Sequence, residues 1–292
     1  MPTPGPLLLG SQRIDIQDRA IMAIVNRTKD SFFKGGSTFA DGDAMAAVAA
    51  AVEAGAEVID IGGVKAGPGE EVDPAEEIQR TASFVGRVRA AYPSVIISVD
   101  TWRAEVGRAA CQEGADLLND AWGGVDPALA EVAAEFDVGL VCTHAGGQQP
   151  RTRPHRVAYA DVMATIVDYT CTLAERAVSL GVRADRILID PGHDFGKNTA
   201  HSLEASRRLA EMVDTGWPVL VSLSRKDFVG EALGLPDPHD RLLGTLATTA
   251  ISSLMGARMY RVHDVPATRQ TLDMERTIAG VQRPRMARRG LA

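Results

Sequence analysis

Residues 58–62 read Val-Ile-Asp-Ile-Gly, and residues 95–100 read Val-Ile-Ile-Ser-Val-Asp. Both runs are short, apolar and rich in β-branched residues, which is typical of buried strands. Residues 76–91 lie between them and repeat their apolar positions with the 3.6-residue period of a helix. A strand, a helix and a strand in this order predict two parallel strands joined by a right-handed crossover.

The same alternation continues along the chain. Eight strands are predicted, at residues 21–26, 58–62, 95–100, 117–119, 139–144, 187–190, 219–224 and 259–263, and helical periodicity is clearest in residues 44–54, 76–91, 104–113 and 160–180. Eight strand–helix units favour a closed (β/α)8 TIM barrel over an open doubly wound sheet. The first strand is followed by no Gly-x-Gly-x-x-Gly, which argues against a dinucleotide-binding fold.

One barrel of this class needs roughly 250 residues plus extensions, and the chain has 292. Residues up to about Gln17, with a turn at Gly10-Ser11, predict a hairpin that closes the bottom of the barrel. No linker interrupts the pattern, so residues 1–292 are expected to form a single domain. Residues 283–292 carry four arginines and are expected to be a flexible, solvated tail.

Composition narrows the class of protein. A net charge of −7 and a pI near 5.4 argue against a nucleic-acid surface. The three cysteines are widely spaced and form no C-x-x-C pattern, which argues against a disulfide framework and a zinc site. Apolar runs stay far below the ~20 residues that span a bilayer. We therefore expect a cytoplasmic protein with no membrane partner.

A polar residue stands at or near the end of every predicted strand: Asn26, Asp60, Asp100, Asn119, His144, Asp190, Ser224 and His263. One such residue means little, because turns often begin with a polar side chain. The carboxyl ends of parallel barrel strands meet on one face, where barrel enzymes carry their sites. Eight polar ends together therefore predict a binding site.

The residue types indicate the ligand. Asp100, Asn119 and Asp190 can meet the edge of a planar heterocycle, since carboxylates accept the forked N–H groups of a guanidine-like edge. Lys226 could reach a ring carbonyl or ring nitrogen. Arg225 and Arg261 follow the seventh and eighth strands, where barrels commonly bind phosphate. The alternative for both arginines is ion pairing with neighbouring acids.

Seven motifs in order resemble dihydropteroate synthase across nearly the whole chain. They are Met22-Ala-Ile-Val-Asn26 with Asp30-Ser-Phe32, Ile59-Asp-Ile-Gly-Gly63, Ile97-Ser-Val-Asp-Thr101, Leu118-Asn-Asp120 with Gly123-Gly124, Asp190-Pro-Gly192 with Phe195-Gly-Lys197, Ser224-Arg-Lys226, and Arg261-Val-His-Asp-Val265. The family joins a dihydropterin methyl diphosphate to p-aminobenzoate, with loss of diphosphate. Such chemistry is mostly positioning and charge stabilisation.

The resemblance implies a role for each matching residue. Pterin binding is implied for Asp100, Asn119, Asp190, Lys226 and Phe195, and contact with the diphosphate and its Mg²⁺ is implied for Asn26, Arg261 and His263. Asn26 is the implied metal-binding residue. The family is homodimeric through late helices, and residues 242–254 here are rich in Ala, Leu and Thr. Simple packing of that helix on the barrel is the alternative.

The loop after the second strand departs from the family. Where the family reads Gly-Gly-Glu-Ser-Thr-Arg-Pro-Gly, this chain reads Gly-Gly-Val-Lys-Ala-Gly-Pro-Gly over residues 62–69. Ala66 thus removes a hydroxyl, and Gly67 removes an arginine. A hydrogen bond between charged groups contributes about 1.5–3 kcal/mol, so the missing arginine alone could cost roughly one to two decades in rate or affinity. Lys65 retains a charge but lacks the bidentate geometry of arginine.

The start of the helix after the seventh strand departs too. Asp227 stands where the family usually has serine, at the helix terminus that receives the carboxylate of p-aminobenzoate. Two carboxylates ~4 Å apart at an effective dielectric of ~20 repel by about 4 kcal/mol. The alternative is that Asp227 caps the helix and points away. Further changes near the pocket are Arg27, Lys29, Thr143, His193 and Asp194.

Three functions follow from this pattern. The first is a dihydropteroate synthase paralogue that keeps a pterin pocket and has weak or no synthase activity. The second is an active synthase whose loops use other residues, which outward-facing Asp227 and another arginine near Gly67 would favour. The third is a non-enzymatic pterin- or anion-binding module.

Overall fold

The structure is a computed structural model that describes residues 5–28, 41–67, 69–147, 149–152, 157–286 and 288–289. Its strands are β1 Leu7–Leu9, β2 Gln12–Ile14, β3 Ala20–Asn26, β4 Val58–Gly62, β5 Ile96–Asp100, β6 Leu117–Asp120, β7 Gly139–Thr143, β8 Ile187–Asp190, β9 Leu220–Val221 and β10 Met259–Val262. Its helices are α1 Asp41–Glu53, α2 Pro74–Ala91, α3 Ala104–Gln112, α4 Ala128–Glu135, α5 Val162–Ser179, α6 Thr199–Arg207, α7 Leu209–Val213, α8 Asp227–Leu233, α9 Leu242–Leu254 and α10 Val265–Ile278.

Strands β3 to β10 form one parallel sheet in the order β8-β7-β6-β5-β4-β3-β10-β9. A parallel bridge between Ile189 and Val219 joins its two outer strands, so the sheet closes into a barrel. The predicted (β/α)8 barrel is confirmed. Strand β9 is shorter than predicted, because the chain turns where the Lys226 N–H donates to the Leu223 carbonyl oxygen.

The amino-terminal hairpin closes the bottom of the barrel, as predicted. Leu7 pairs with Ile14 and Leu9 with Gln12, while Gly10 takes the left-handed conformation of the turn (φ 54°). Full burial of a leucine side chain contributes about 1.5–3 kcal/mol. The hairpin packs on the lowest inward layer of the barrel, which consists of Ala20, Met22, Val58, Ile96, Leu117, Val141, Leu188, Leu220 and Met259.

Strand alternation places the polar strand ends above this apolar layer. Successive side chains of a strand point to opposite faces, so the residues two and four positions beyond an inward residue also point inward. On β5, Ile96 lies in the lowest layer, and Ser98 and Asp100 follow it upward. The interior is therefore apolar at the bottom and polar at the mouth. None of the described helices is long and apolar enough to cross a membrane.

Candidate functional site

A cavity of about 140 Å³ opens at the carboxyl ends of the barrel strands. Twelve of the residues singled out from the sequence line it: Asn26, Lys65, Ala66, Asp100, Asn119, Thr143, Asp190, Phe195, Ser224, Lys226, Arg261 and His263. Gly67 and Asp227 do not. A larger cavity of about 570 Å³ lies beside the hairpin, but three of its arginines, Arg19, Arg269 and Arg276, are paired with nearby acids. Barrel enzymes carry their sites at the carboxyl ends of the strands, so we place the candidate site at the smaller cavity.

Carboxylates and one arginine form a network at the base of this cavity. Arg261 Nε donates to Asp60 Oδ2 at 2.6 Å, and its Nη2 donates to Asp100 Oδ2 at 2.7 Å. Asp60 also accepts hydrogen bonds from Ser98 Oγ at 2.6 Å and from Asn119 Nδ2 at 3.3 Å. Burial raises the pKa of Asp100 to about 7, although Arg261 opposes the rise. Burial thus favours the protonated form of Asp100, in which the carboxyl group can donate as well as accept a hydrogen bond.

Asp190 and Lys226 lie at the carboxyl ends of the neighbouring strands β8 and β9. Asp190 Oδ1 accepts from the Gly192 N–H at 2.7 Å, and burial raises the pKa of Asp190 while Lys226 holds it down. The Lys226 ammonium lies 4.9 Å from the ring centre of Phe195, within cation–π range. Burial lowers the pKa of Lys226. An acid, an amine and an aromatic ring together suit a planar, polar heterocycle.

Ser224 and His263 form a second polar pair at this mouth. Ser224 Oγ lies 2.9 Å from His263 Nδ1 and accepts the His263 backbone N–H at 3.2 Å. Burial lowers the pKa of His263 to about 3, and Arg261 and Arg225 add to the effect. The ring is therefore neutral at pH 7. Because Ser224 Oγ can donate its own proton to Nδ1, the neutral ring can present Nε2–H to an anion.

His144 is the polar strand end that does not join this site. It follows the inward residue Thr143, so strand alternation turns it outward. Lys197 Nζ lies 2.7 Å from His144 Nδ1 and donates to the carbonyl oxygens of His144, Gly192 and Phe195 at 2.9–3.0 Å. Burial lowers the pKa of His144 to about 3. These two side chains tie the loops after β7 and β8 together.

The loop after β4 brings Val64, Lys65 and Ala66 to the cavity. Gly67 lies beyond it, where an added Cβ would meet the Lys65 side chain at 3.5 Å. Arg151, from the loop after β7, reaches this loop and donates to the Glu70 carbonyl oxygen. It does not line the cavity, so the structure brings an arginine near the second loop without placing it at the site.

At the start of α8, two acidic side chains take different positions. The Asp227 side chain is 78% exposed, and its Oδ1 lies 2.8 Å from Arg241 Nη1. Asp194 is half-buried, in a left-handed conformation (φ 66°), and its Oδ2 accepts the Phe228 backbone N–H at 3.3 Å. Ser202 Oγ donates to Asp194 Oδ1 at 3.2 Å. The first turn of α8 thus already carries a carboxylate of this chain.

The basic residues of the loops are mostly engaged elsewhere. Arg27 pairs with Asp41, and its guanidinium lies 4.7 Å from the ring centre of Phe84. Arg225 pairs with Asp264 at 2.6 Å, as the ion-pair alternative for it predicted. Asp30-Ser-Phe32 and Lys29 lie outside the described residues. Lys65 lines the cavity, so its charge is placed at the site.

Some lining residues were not singled out from the sequence. Ser222, two positions before Ser224 on the same face, lines the cavity, as do Ile24 and Ala121. Strand alternation alone would have found Ser222. Glu77 supports the mouth from α2: it accepts from Thr101 Oγ1 and from Arg103 Nη1, both at 2.7 Å, and burial raises its pKa. No sequence signal marked Glu77.

Comparison with known proteins agrees with this geometry. The sequence profile of the pterin binding enzyme family matches residues 22–263. The chain is 58% identical over 280 residues to inactive dihydropteroate synthase 2 of Mycobacterium tuberculosis (94% of this chain, 88% of that protein). It is 36% identical over 256 residues to dihydropteroate synthase of Escherichia coli (87% and 90%). The crystal structure of Yersinia pestis dihydropteroate synthase with a sulfonamide superposes with a TM-score of 0.88 at 32% identity, covering 95% of this chain and 100% of that one. The chain belongs to the pterin binding enzyme family, among its dihydropteroate synthases.

Proposed function

We propose that this protein is a dihydropteroate synthase paralogue that binds a pterin-type molecule but does not join it efficiently to p-aminobenzoate. The pterin half of the proposal is supported by Asp100, Asn119, Asp190, Phe195 and Lys226, which all line one cavity. The M. tuberculosis relative, at 58% identity, is itself named inactive. The proposal extends that property to this chain.

The observation that carries the loss of activity is the carboxylate of Asp194 at the start of α8. By the family resemblance, this terminus receives the carboxylate of the acceptor. Here the Phe228 N–H already donates to Asp194. An incoming anion would have to displace Asp194 from that hydrogen bond and would meet a like charge. Asp227 does not add to this repulsion, because it is exposed, lies outside the cavity and is paired with Arg241, in agreement with the alternative that it points away.

The second loop supports the same conclusion. Gly67 provides no cation, and Arg151 is held at the Glu70 carbonyl oxygen outside the cavity. Arg261 is the implied diphosphate cation, but it is already paired with Asp60 and Asp100. A diphosphate would have to draw it away from two carboxylates.

Separate titrations with the dihydropterin methyl diphosphate and with p-aminobenzoate, together with a turnover assay, test the proposal. We expect measurable pterin binding, weak p-aminobenzoate binding and turnover at least 100-fold below that of a bona fide synthase. Turnover comparable with such a synthase would support the active alternative and contradict the proposal. Pterin binding with no turnover at all would leave a non-enzymatic pterin-binding module.

We propose that Mg²⁺ binds together with the diphosphate, with Asn26 as its protein ligand. No group of three or more His, Cys, Asp or Glu side chains in the described parts of the chain could hold a metal. Mg²⁺ is usually held by one or two protein oxygens, substrate phosphates and water, and an amide oxygen at the cavity fits this pattern. Mg²⁺ should tighten diphosphate binding by the wild type, and Asn26→Ala should remove that dependence.

We also propose a homodimer formed through α9 and α10. These helices expose five large apolar side chains: Leu243, Ile251, Leu254, Met274 and Ile278. Such a stripe marks an interaction surface. Light scattering should give a dimer for the wild type and a monomer for Leu254→Glu combined with Ile278→Glu, while Leu203→Glu on α6 should stay dimeric. A monomeric wild type would contradict the proposal.

The cytoplasmic location stays a prediction. Cys111, Cys142 and Cys171 are all free thiols, as expected in a reducing compartment. Cell fractionation tests it.

A further inference from the structure

A buried hydroxyl at the cavity has no role in the site described so far. Thr143 Oγ1 has no hydrogen-bond partner among the described residues. A buried polar atom left without a partner costs free energy, so each such atom needs an explanation. Eight side-chain atoms of the described chain share this property, and only the one on Thr143 belongs to a residue lining the cavity.

The position of Thr143 directs it to the barrel interior. Val141, two residues earlier on β7, belongs to the lowest inward layer, and strand alternation gives Thr143 the same direction. Thr143 pairs in register with Asp190 of β8, and Val141 pairs with Asn119 of β6. Thr143 thus lies on the strand between the two that carry an implied ring-binding amide and an implied ring-binding carboxylate.

We propose that Thr143 is a specificity-determining residue, whose hydroxyl hydrogen bonds to a polar atom on the edge of the bound heterocycle. This inference rests on the proposed pterin binding and adds the class of ring: one with a nitrogen or amino group at the edge facing β6, β7 and β8. An analogue with carbon at that position binds more weakly. In the unliganded protein the unpartnered hydroxyl lowers the free energy of unfolding, and ligand binding removes this destabilisation.

Two opposite effects are expected from Thr143→Val, which keeps the shape and removes the hydroxyl. The melting temperature of the free protein should rise or stay unchanged, because a buried unpartnered group is lost. The Kd for 6-hydroxymethylpterin, followed by its fluorescence, should increase about fivefold, which corresponds to about 1 kcal/mol at 1.4 kcal/mol per decade.

Thr268→Val is the matched control. Thr268 is also buried, its Oγ1 also lacks a partner among the described residues, and it lies on α10 away from the cavity. It should leave the Kd within about 1.5-fold of the wild type. If valine at position 143 disturbs folding, Thr143→Ser and Thr143→Ala replace it, since they differ only in the hydroxyl. Serine should bind about fivefold more tightly than alanine.

Equal binding by Thr143→Val and the wild type, or by the serine and alanine variants, would overturn the inference and leave pterin binding intact. The buried hydroxyl would then be a cost to stability with no role in binding. A wild type that fails to bind 6-hydroxymethylpterin would overturn the proposed function and this inference together. If Thr143→Val does weaken binding, deaza analogues of the pterin identify the ring nitrogen that the hydroxyl contacts. The affinity of the analogue with carbon in place of that nitrogen should be the same for Thr143→Val and the wild type.

Discussion

The floor and the rim of the cavity are built in different ways. The floor consists of the inward strand residues Asp100, Asn119 and Asp190, and the rim consists of the second loop and the first turn of α8. Each floor residue is fixed by a parallel ladder, and a register slip of one residue would turn a whole strand inside out. Loops carry no such constraint and tolerate substitution. Among the described residues, the departures from the family accordingly lie in the loops after the strands or at the start of α8, apart from Thr143.

This comparison predicts its largest effect at the floor. Asp190→Ala should weaken pterin binding by about 100-fold, because a hydrogen bond to a charged group contributes up to about 3 kcal/mol and Lys226 would lose its opposing charge. Calorimetric titration with 6-hydroxymethylpterin measures the change. Asp227→Ala, at an exposed rim position, should change the same Kd by less than about twofold. A loss below threefold at Asp190 would contradict the assignment of the floor.

A substitution at the rim should strengthen ligand binding instead of weakening it, and the ligand affected should be the acceptor. Asp194→Gly removes the carboxylate at α8 and suits the left-handed backbone (φ 66°). We expect p-aminobenzoate to bind about tenfold more tightly, as measured by titration in the presence of the pterin. Asp227→Ser should change this affinity by less than about twofold. If the serine variant gained more than the glycine variant, Asp227 would be the obstacle instead.

A smaller effect concerns pH and the floor. Burial raises the pKa of Asp100 to about 7 from the ordinary 3.8, so the folded state binds its proton more tightly than the unfolded state. Stability from this group is therefore greatest below about pH 4 and falls as the pH rises towards 7. Asp100→Asn removes this dependence. The melting temperature of the variant minus that of the wild type should increase by a few degrees between pH 4.5 and 7.5, and a constant difference would contradict the assignment.

The floor could be predicted from the sequence, because the alternation of side chains along a strand determines which residues point into the barrel. Asp100, Asn119 and Asp190 end their strands on the inward face, and all three line the cavity. The same rule separates His144 from them: it follows inward Thr143, so it faces Lys197 instead. The prediction that all eight polar strand ends converge on one site was therefore wrong for His144, because His144 points outward from its strand.

The rim could not be read in this way. The sequence drew attention to Asp227, but the structure pairs it with Arg241, which lies fourteen residues later and carries no local signal. Asp194 reaches the same helix from the loop after β8, a contact that depends on a left-handed backbone and on the packing of two loops. Arg151 likewise meets the second loop from another part of the chain. Such contacts depend on tertiary placement, which periodicity does not encode.

The smallest single effect is expected from restoring the missing arginine. Gly67→Arg should raise synthase turnover by less than about threefold, because the acceptor still meets Asp194 at α8. Combined with Asp194→Gly, the same change should raise turnover by a further tenfold or more. One substitution acts on the diphosphate and the other on the acceptor of the same reaction, so we expect their effects to couple. Turnover of the wild type, both single variants and the double variant forms a complete cycle. Purely additive gains would mean that Gly67 and Asp194 reduce turnover independently of each other, and the expected coupling between them would be contradicted.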